Sequence, residues 1–513
     1  MTRRRSARTV VAATALVALA IAPAALLRGT ATAAETDKAL PGRFGRMFQG
    51  LPPFAPANDA VRAALMEVGK PGGLMDAHDD LGAGPIALIV DPLLSAHNPN
   101  NTTQTAGTTF MGQFLDHDMT FDTTSRLGEP TRPTTAPNAR KPAFDLDSVY
   151  GDGPAGSPLL YDPNDRIKFR VESGGLFEDL PRDGNRTAII ADPRNDENVV
   201  ISGLQAAFLL FHNRAVDRLR ALNPAMPNDD VFREARRLTA WHYQWLIVHE
   251  FLPQIVGQGM VSDILAHGRR YYSPKPDEGF IPVEFQIVYR FGHSMVRPSY
   301  RANLAGDHGQ AFFGMVFDTT QNGRDDPDDL RGRARAPRRF IGWQTFFDFG
   351  DGQVKPNKRI DTMLSTPLFN LPLQIIASGE PPTSLAQRNL LRHLTWQVPS
   401  GQAIARQMGA PVLSRADLVE LHPIDPSLEV STPLWYYVLK EAEVMEGGLH
   451  LGPVGGRIVG EVFLGLLQTD PGSYVSVNPG WIPTLPTRAG RAEEFRMVDF
   501  LTFAGVDPGS RRQ

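Results

Sequence analysis

Met111-Gly-Gln-Phe-Leu-Asp-His-Asp-Met-Thr-Phe-Asp122 decides how this chain is read. As a helix, it sets Gln113, Asp116 and His117 on one face, because positions three and four apart are neighbours. A glutamine, a carboxylate and an imidazole then share one spot, while Asp118 points elsewhere. By itself, a histidine between two aspartates is more often a surface salt-bridge cluster. Three distant segments carry complementary parts: Asp192-Pro-Arg-Asn-Asp-Glu-Asn198, Tyr289-Arg-Phe-Gly-His-Ser294 and Ala143-Phe-Asp-Leu-Asp-Ser-Val-Tyr-Gly151.

Composition narrows the chemistry. The 513 residues are 42% hydrophobic and 21% charged, ordinary for a globular protein with a large core. No cysteine occurs, which excludes disulfides, thiolate-held haem, zinc–cysteine sites and cysteine-held iron–sulfur clusters. Net charge is −4, and the only basic cluster after the first 33 residues, Arg331-Gly-Arg-Ala-Arg-Ala-Pro-Arg-Arg339, reads as a solvated loop. Nucleic acid is not an expected partner. Neither a phosphate loop nor a dinucleotide fingerprint appears. His249-Glu250 lacks the second histidine of a zinc protease.

Residues 1–33 read as a signal peptide. Arg3, Arg4, Arg5 and Arg8 form the basic start, Val10 to Leu27 the apolar stretch, and Ala31-Thr-Ala33 the cleavage box. About 18 apolar residues could instead span a bilayer, but Pro23 and the small residues favour cleavage. A secreted protein without stable membrane insertion is expected.

Residues 34–513 read as one large, mainly α-helical domain with few short strands. Leu204, Ala207, Phe208, Phe211, Ala215, Leu219 and Leu222 follow three–four spacing within a helix over Ser202–Leu222. Further helices are expected over Val231–Leu252, stopping at Pro253, and over Pro282–Arg297, Ser384–Arg392, Leu434–Glu443 and Gly456–Leu467. Glu35–Leu51 reads as an irregular arm, and Pro52–Pro56 and Asn98–Thr103 as loops. His212, on an amphipathic helix, reads as structural.

In this order, from about Arg43 to about Asp507, the motifs resemble the animal-type haem peroxidases of the peroxidase–cyclooxygenase superfamily, in particular bacterial members. Pro433-Leu-Trp-Tyr-Tyr-Val-Leu439 and Leu451-Gly-Pro-Val-Gly-Gly-Arg457 extend the resemblance. It implies a haem b cofactor with His293 on the iron, its other ring nitrogen oriented by Asn389. His117 would be the acid–base on the distal side. Gln113 would bond the distal water or a halide, and Arg194 would stabilise charge on the peroxide. The alternative for Arg194 is a salt bridge to Asp192 or Asp196. Asp116 and Glu197 match positions that form esters to haem methyl groups. Asp118, Asp145 and Asp147 would hold Ca²⁺. The implied reaction is reduction of hydrogen peroxide through a ferryl intermediate, then oxidation of a small donor.

Some positions depart from the family pattern. Asn198 stands where myeloperoxidase has a methionine sulfonium link, which points to bromide, iodide, thiocyanate or phenols as donors rather than chloride. Lys141 replaces a common threonine ligand of calcium, and Asp147 a serine. A fatty-acid dioxygenase of the cyclooxygenase branch would need a radical tyrosine three residues before His293. Arg290 stands there, and Tyr289 is one residue out of step. A third reading is a non-catalytic, haem- and calcium-containing adhesion protein.

Overall fold

Gly107 fixes the approach of the first site helix. A Cβ there would meet the Phe347 ring at 2.5 Å, so only glycine lets the two segments close. Helix α1 (Ala106–Met119) then buries Phe110, Phe114 and Leu115 and leaves Gln113 and Asp116 partly open. Phe114 stacks on Phe208 at 4.5 Å between ring centroids. Phe208 belongs to α2 (Val199–Leu222), whose first turn is capped by Asn198: its Oδ1 accepts from Val200 N and Ile201 N at 3.1 and 3.0 Å. The apolar stripe read from the sequence is the buried face of this helix as far as Leu219, while Leu222 is exposed. Its length and hydropathy would suffice to cross a membrane, but most of it is buried inside the protein, as befits a core helix.

Helix α3 (Asn228–Leu246) packs against α2. Short α4 (Val283–Val288) leads directly into the turn carrying His293 and packs against α5 (Leu385–Trp396), α6 (Leu434–Glu446) and α7 (Pro453–Thr469). The buried carboxylate of Glu441 on α6 accepts from Val454 N and Gly455 N at 3.0 and 3.1 Å, satisfying orphan donors at the start of α7. The computed structural model describes residues 42–511 apart from 174–176, 276–277, 307–308 and 334–337. The described residues belong to one compact unit. The expected signal segment, residues 1–33, lies outside the described residues.

Four expectations are corrected. Gly42–Gly45, expected within an irregular arm, is a strand paired with Pro137–Asn138 and with Ile281–Pro282. Asn100–Thr105, overlapping an expected loop, pairs with Pro356–Lys358. Pro253 does not end the helical run. A π-helical turn at Ile247–Phe251 hands over to a new helix, Leu252–Val256, and Pro253 sits in its first turn, where no intrahelical donor is needed. The helix expected over Pro282–Arg297 is α-helical only to Val288, then tightens to a 3₁₀ turn over Tyr289–His293.

The basic loop is also not a solvated one at its ends. Arg331 and Arg339 are buried. Arg331 bonds Asp329 with Nε and NH2, and Arg339 donates to the carbonyls of Asp329 and Arg331. The acidic run Asp325-Asp326-Pro-Asp-Asp329 just upstream supplies this neutralisation.

Candidate active site

The structure brings the four motifs together. His117, Gln113 and Asp116 from α1, Arg194 and Glu197 from the loop before α2, and His293 from the turn after α4 line one cavity of about 340 Å³.

His117 is buried, and its Nδ1 lies 2.9 Å from Asn195 Oδ1. Asn195 Nδ2 in turn donates to Gln205 Oε1 at 2.8 Å, in keeping with the Asn195 oxygen facing the imidazole. An amide oxygen only accepts, so the ring proton sits on Nδ1 and Nε2 carries the lone pair. Burial, aided by the positive charge of Arg194, lowers the pKa of His117 to about 3, so the ring is neutral at ordinary pH. Asn195 had no role assigned from the sequence. The signal was its place inside the quoted motif, two residues before Glu197.

Arg194 is held rather than free. Its Nε and one NH2 clamp Asp192 at 3.0 and 2.7 Å, the same NH2 bonds the His117 carbonyl at 3.0 Å, and its guanidinium lies 4.1 Å over Phe121. Its remaining nitrogen is 3.9 Å from Asp116. The salt bridge to Asp192, considered as an alternative from sequence, is therefore present alongside the cavity position. Asp196 pairs with Arg182 instead, at 2.8 Å.

Gln113 bridges two neighbours: its Nε2 donates to Glu197 Oε2 at 3.1 Å, and its Oε1 accepts from Asn198 at 3.2 Å. Glu197 also lies 4.0 Å from His117 Nε2. Burial raises the Glu197 carboxyl to about 7, against the pull of Arg194, and burial likewise raises Asp116. About a quarter of the Glu197 side chain is open (28%), and it opens onto the cavity. Asn198 is committed twice, as the helix cap and as the Gln113 partner.

His293 is neutral too, its pKa lowered to about 3 by burial and by Arg290. Asn389 contacts its Nδ1 at 2.7 Å, but with the amide nitrogen, while Asn389 Oδ1 faces Arg290 at 3.5 Å. An iron ligand needs the reverse, an Nδ1–H facing the amide oxygen and a bare Nε2. A half-turn of the amide supplies it, because the two orientations fill the same space. The expected partner is thus in place with its donor end forward.

On the far side of α1, Asp118 is fully buried and meets Asp145 and Asp147, with one oxygen of each within 4.8 Å of the others. Leu146, at φ 62°, turns its N–H to Asp118 Oδ2 at 3.1 Å. Tyr243 and Ser148 hydroxyls also donate to Asp118. Lys141 pairs with Asp145 at 2.7 Å, and Arg140 lies 3.5 Å from Asp147. Even so, Asp147 Oδ1 is buried without a hydrogen-bond partner, and burial with mutual repulsion raises Asp118 well above the usual range. A divalent cation fits that donor set. His212 bonds Tyr150 Oη and the Ile167 carbonyl, both at 2.9 Å, as a structural residue would.

Residues 129–312 match the family model of the animal haem peroxidases. Human eosinophil peroxidase is 31% identical over 144 residues, which cover 25% of this chain and 20% of that protein. The chorion peroxidase of Drosophila melanogaster is 28% identical over 312 residues, 56% of this chain and 35% of that one. Over these stretches the chain is similar to the animal haem peroxidases. The fold is similar to that of peroxidase A of Dictyostelium discoideum, which superposes with a TM-score of 0.58 at 16% identity, covering 88% of this chain and 93% of that one. The fatty acid α-dioxygenase of Oryza sativa gives 0.60 at 15% identity, covering 90% and 79%. These two likenesses show the fold alone. The eosinophil and chorion enzymes are matched over a fifth and about a third of their lengths.

Proposed function

We propose that this protein is a haem peroxidase, which reduces hydrogen peroxide and oxidises a small donor. The observation that carries the reading is a neutral His117, locked by Asn195 with Nε2 bare, in the same cavity as a second neutral imidazole, His293. The chain's residues fit a haem b. His293 offers the axial nitrogen. Arg290, Arg388 and Arg392 line one end of the cavity, and Arg290 Nε is buried without a partner, which suits the carboxylates that haem carries.

Bound haem would supply the iron that takes two electrons' worth of oxidising power from peroxide. The chain's own residues do the rest. His117 Nε2 accepts the proton of the near peroxide oxygen and returns it to the departing one. Arg194, clamped by Asp192, presents fixed positive charge to that departing oxygen, with little reorganisation. Gln113 holds water or a halide between His117 and Glu197. We further propose that Asp116 and Glu197 become ester-linked to the haem, and that Asp118, Asp145 and Asp147 bind Ca²⁺, tying α1 to the loop over 143–151. Export after cleavage of residues 1–33, with bromide, iodide, thiocyanate or phenols as donors, belongs to the same reading.

The fatty-acid dioxygenase reading is disfavoured by Arg290, which occupies the position that chemistry gives to a tyrosine. Tyr289, one residue away, turns its hydroxyl to the Gly112 carbonyl at 3.1 Å. The test is to load the purified protein with haem and follow its absorbance after rapid mixing with peroxide. A fast spectral change that reverses on adding bromide or a phenol is expected. No change with peroxide would remove the proposal, and oxygen uptake with a fatty acid would favour the dioxygenase.

A further inference from the structure

Three of the chain's six tryptophans gather in one place, and that place reaches the surface. Trp241 and Trp245 lie one turn apart on α3. Trp481 packs against both, with ring centroids at 5.4 and 6.1 Å, and Tyr474 lies 5.4 Å from Trp481. Trp481 is half-buried, and beside it Val477 and Ile482 stand 57% and 49% exposed, far above ordinary apolar burial. An aromatic cluster is usually core packing. This one is continuous with the cavity.

Tyr289 lines the cavity. Its ring is 5.3 Å from Phe463, which is 4.9 Å from Phe144, which is 6.3 Å from Tyr243. Tyr243 is 5.5 Å from Phe208, and the series runs on through Phe500 at 4.5 Å, Phe211 at 4.1 Å and His242 at 5.9 Å to Trp481 at 5.1 Å. Tyrosine and tryptophan are the side chains that most readily give up a single electron in a chain without cysteine. Electron tunnelling falls steeply with distance, so a series of rings in near contact carries an electron far better than one long jump.

We propose that Trp481 is a second site of donor oxidation, on the surface, for phenolic donors too large to enter the cavity. This rests on the haem peroxidase reading. Reduction of one hydrogen peroxide to two waters takes up two electrons and two protons. In each of two rounds, Trp481 gives one electron inward along the rings and releases its indole N–H proton to water. A phenol at the Val477–Ile482 patch then gives Trp481 one electron and its O–H proton, restoring the indole and leaving a phenoxyl radical. Two phenols are consumed per peroxide. The exposed apolar side chains beside Trp481 provide the contact for the phenol ring.

The experiment uses the haem-loaded full chain with two donors of one chemistry: free phenol, and phenol fixed by a short linker to agarose beads. The unmutated protein should oxidise both. Trp481→Phe should lose at least tenfold on the beads and stay within twofold on free phenol, while Trp481→Tyr, still oxidisable, should keep bead activity. Peroxide without donor should leave oxygen on Trp481, found by mass spectrometry of the digest. Equal bead activity in Trp481→Phe, or no oxidation of Trp481 while free phenol is oxidised normally, would overturn the surface site and leave the cavity reading standing. Failure on free phenol as well would overturn both.

Discussion

Replacing Asn195 by alanine should slow the reaction with peroxide without removing the haem. The Asn195 amide is the sole hydrogen-bond partner found for His117 Nδ1 among the described residues, and Gln205 holds it in that orientation. Its loss leaves a buried N–H unsatisfied, a cost of about 1–3 kcal/mol. The ring can relieve that cost by moving its proton to Nε2 or by rotating, and either removes the lone pair that accepts the peroxide proton. At about 1.4 kcal/mol per tenfold, the second-order rate constant should fall roughly 5- to 150-fold. That reaches only the lower end of the approximately 10²–10⁴-fold range for general acid–base catalysis, because some molecules keep the productive tautomer. Asn195→Asp should behave differently. Its carboxylate stabilises the imidazolium, so the rate should acquire a new acid limb and fall as pH drops below that raised pKa. The assay is rapid-mixing absorbance from pH 5 to about 9, within the usual histidine range. Asn195→Ala within twofold of the unmutated rate, at unchanged haem content, would refute the tautomer argument.

Other tests probe separate parts of the site. Chelation, or Asp118→Ala, should lower thermal stability and peroxide reactivity together, because the cation would tie α1 to the 143–151 loop; metal analysis of active protein showing no calcium would contradict this. His212 is held neutral by burial, its pKa lowered to about 4 from 6.5. Protonation in that window favours the unfolded chain, so its stabilisation is complete above about pH 6.5 and is lost as pH falls toward 4. The stability gap between unmutated protein and His212→Gln should therefore narrow by on the order of 3 kcal/mol across that window. Denaturant titrations at pH 7 and 4.5 check it, and a constant gap would refute it. After turnover with peroxide, acidified organic solvent should leave haem attached through Asp116 and Glu197 and none on Asn198, with bromide oxidised much faster than chloride. Full haem extraction would refute the esters.

Much of the site could be read because its residues are spaced by a helix or clustered in short motifs. Gln113, Asp116 and His117 share a face as the three–four spacing requires, and Asp118 faces away toward Asp145 and Asp147. What could not be read depends on partners distant in sequence. Asn195 acquires its role only when α1 comes beside it, and the amide orientation at Asn389 depends on Arg290. The short strands at Gly42–Gly45 and Asn100–Thr105 carry little alternation; remote backbone partners define them. Arg331 and Arg339 looked solvated because a basic run is charged, yet the acidic run beside it makes burial tolerable. At Pro253 a local rule predicted a stop, and a widened turn accommodated the proline instead.

The central claim is that His117 and His293 serve one haem with different tasks. Rapid mixing of the haem-loaded His117→Ala protein with peroxide tests it most directly. Haem content and the resting spectrum should stay close to those of the unmutated protein, while the rate of the first spectral change drops about 10²–10⁴-fold. His293→Ala, measured alongside, should lose haem or shift its resting spectrum. A His117→Ala rate within about threefold of the unmutated protein, short of the lower end of that range, would contradict the account.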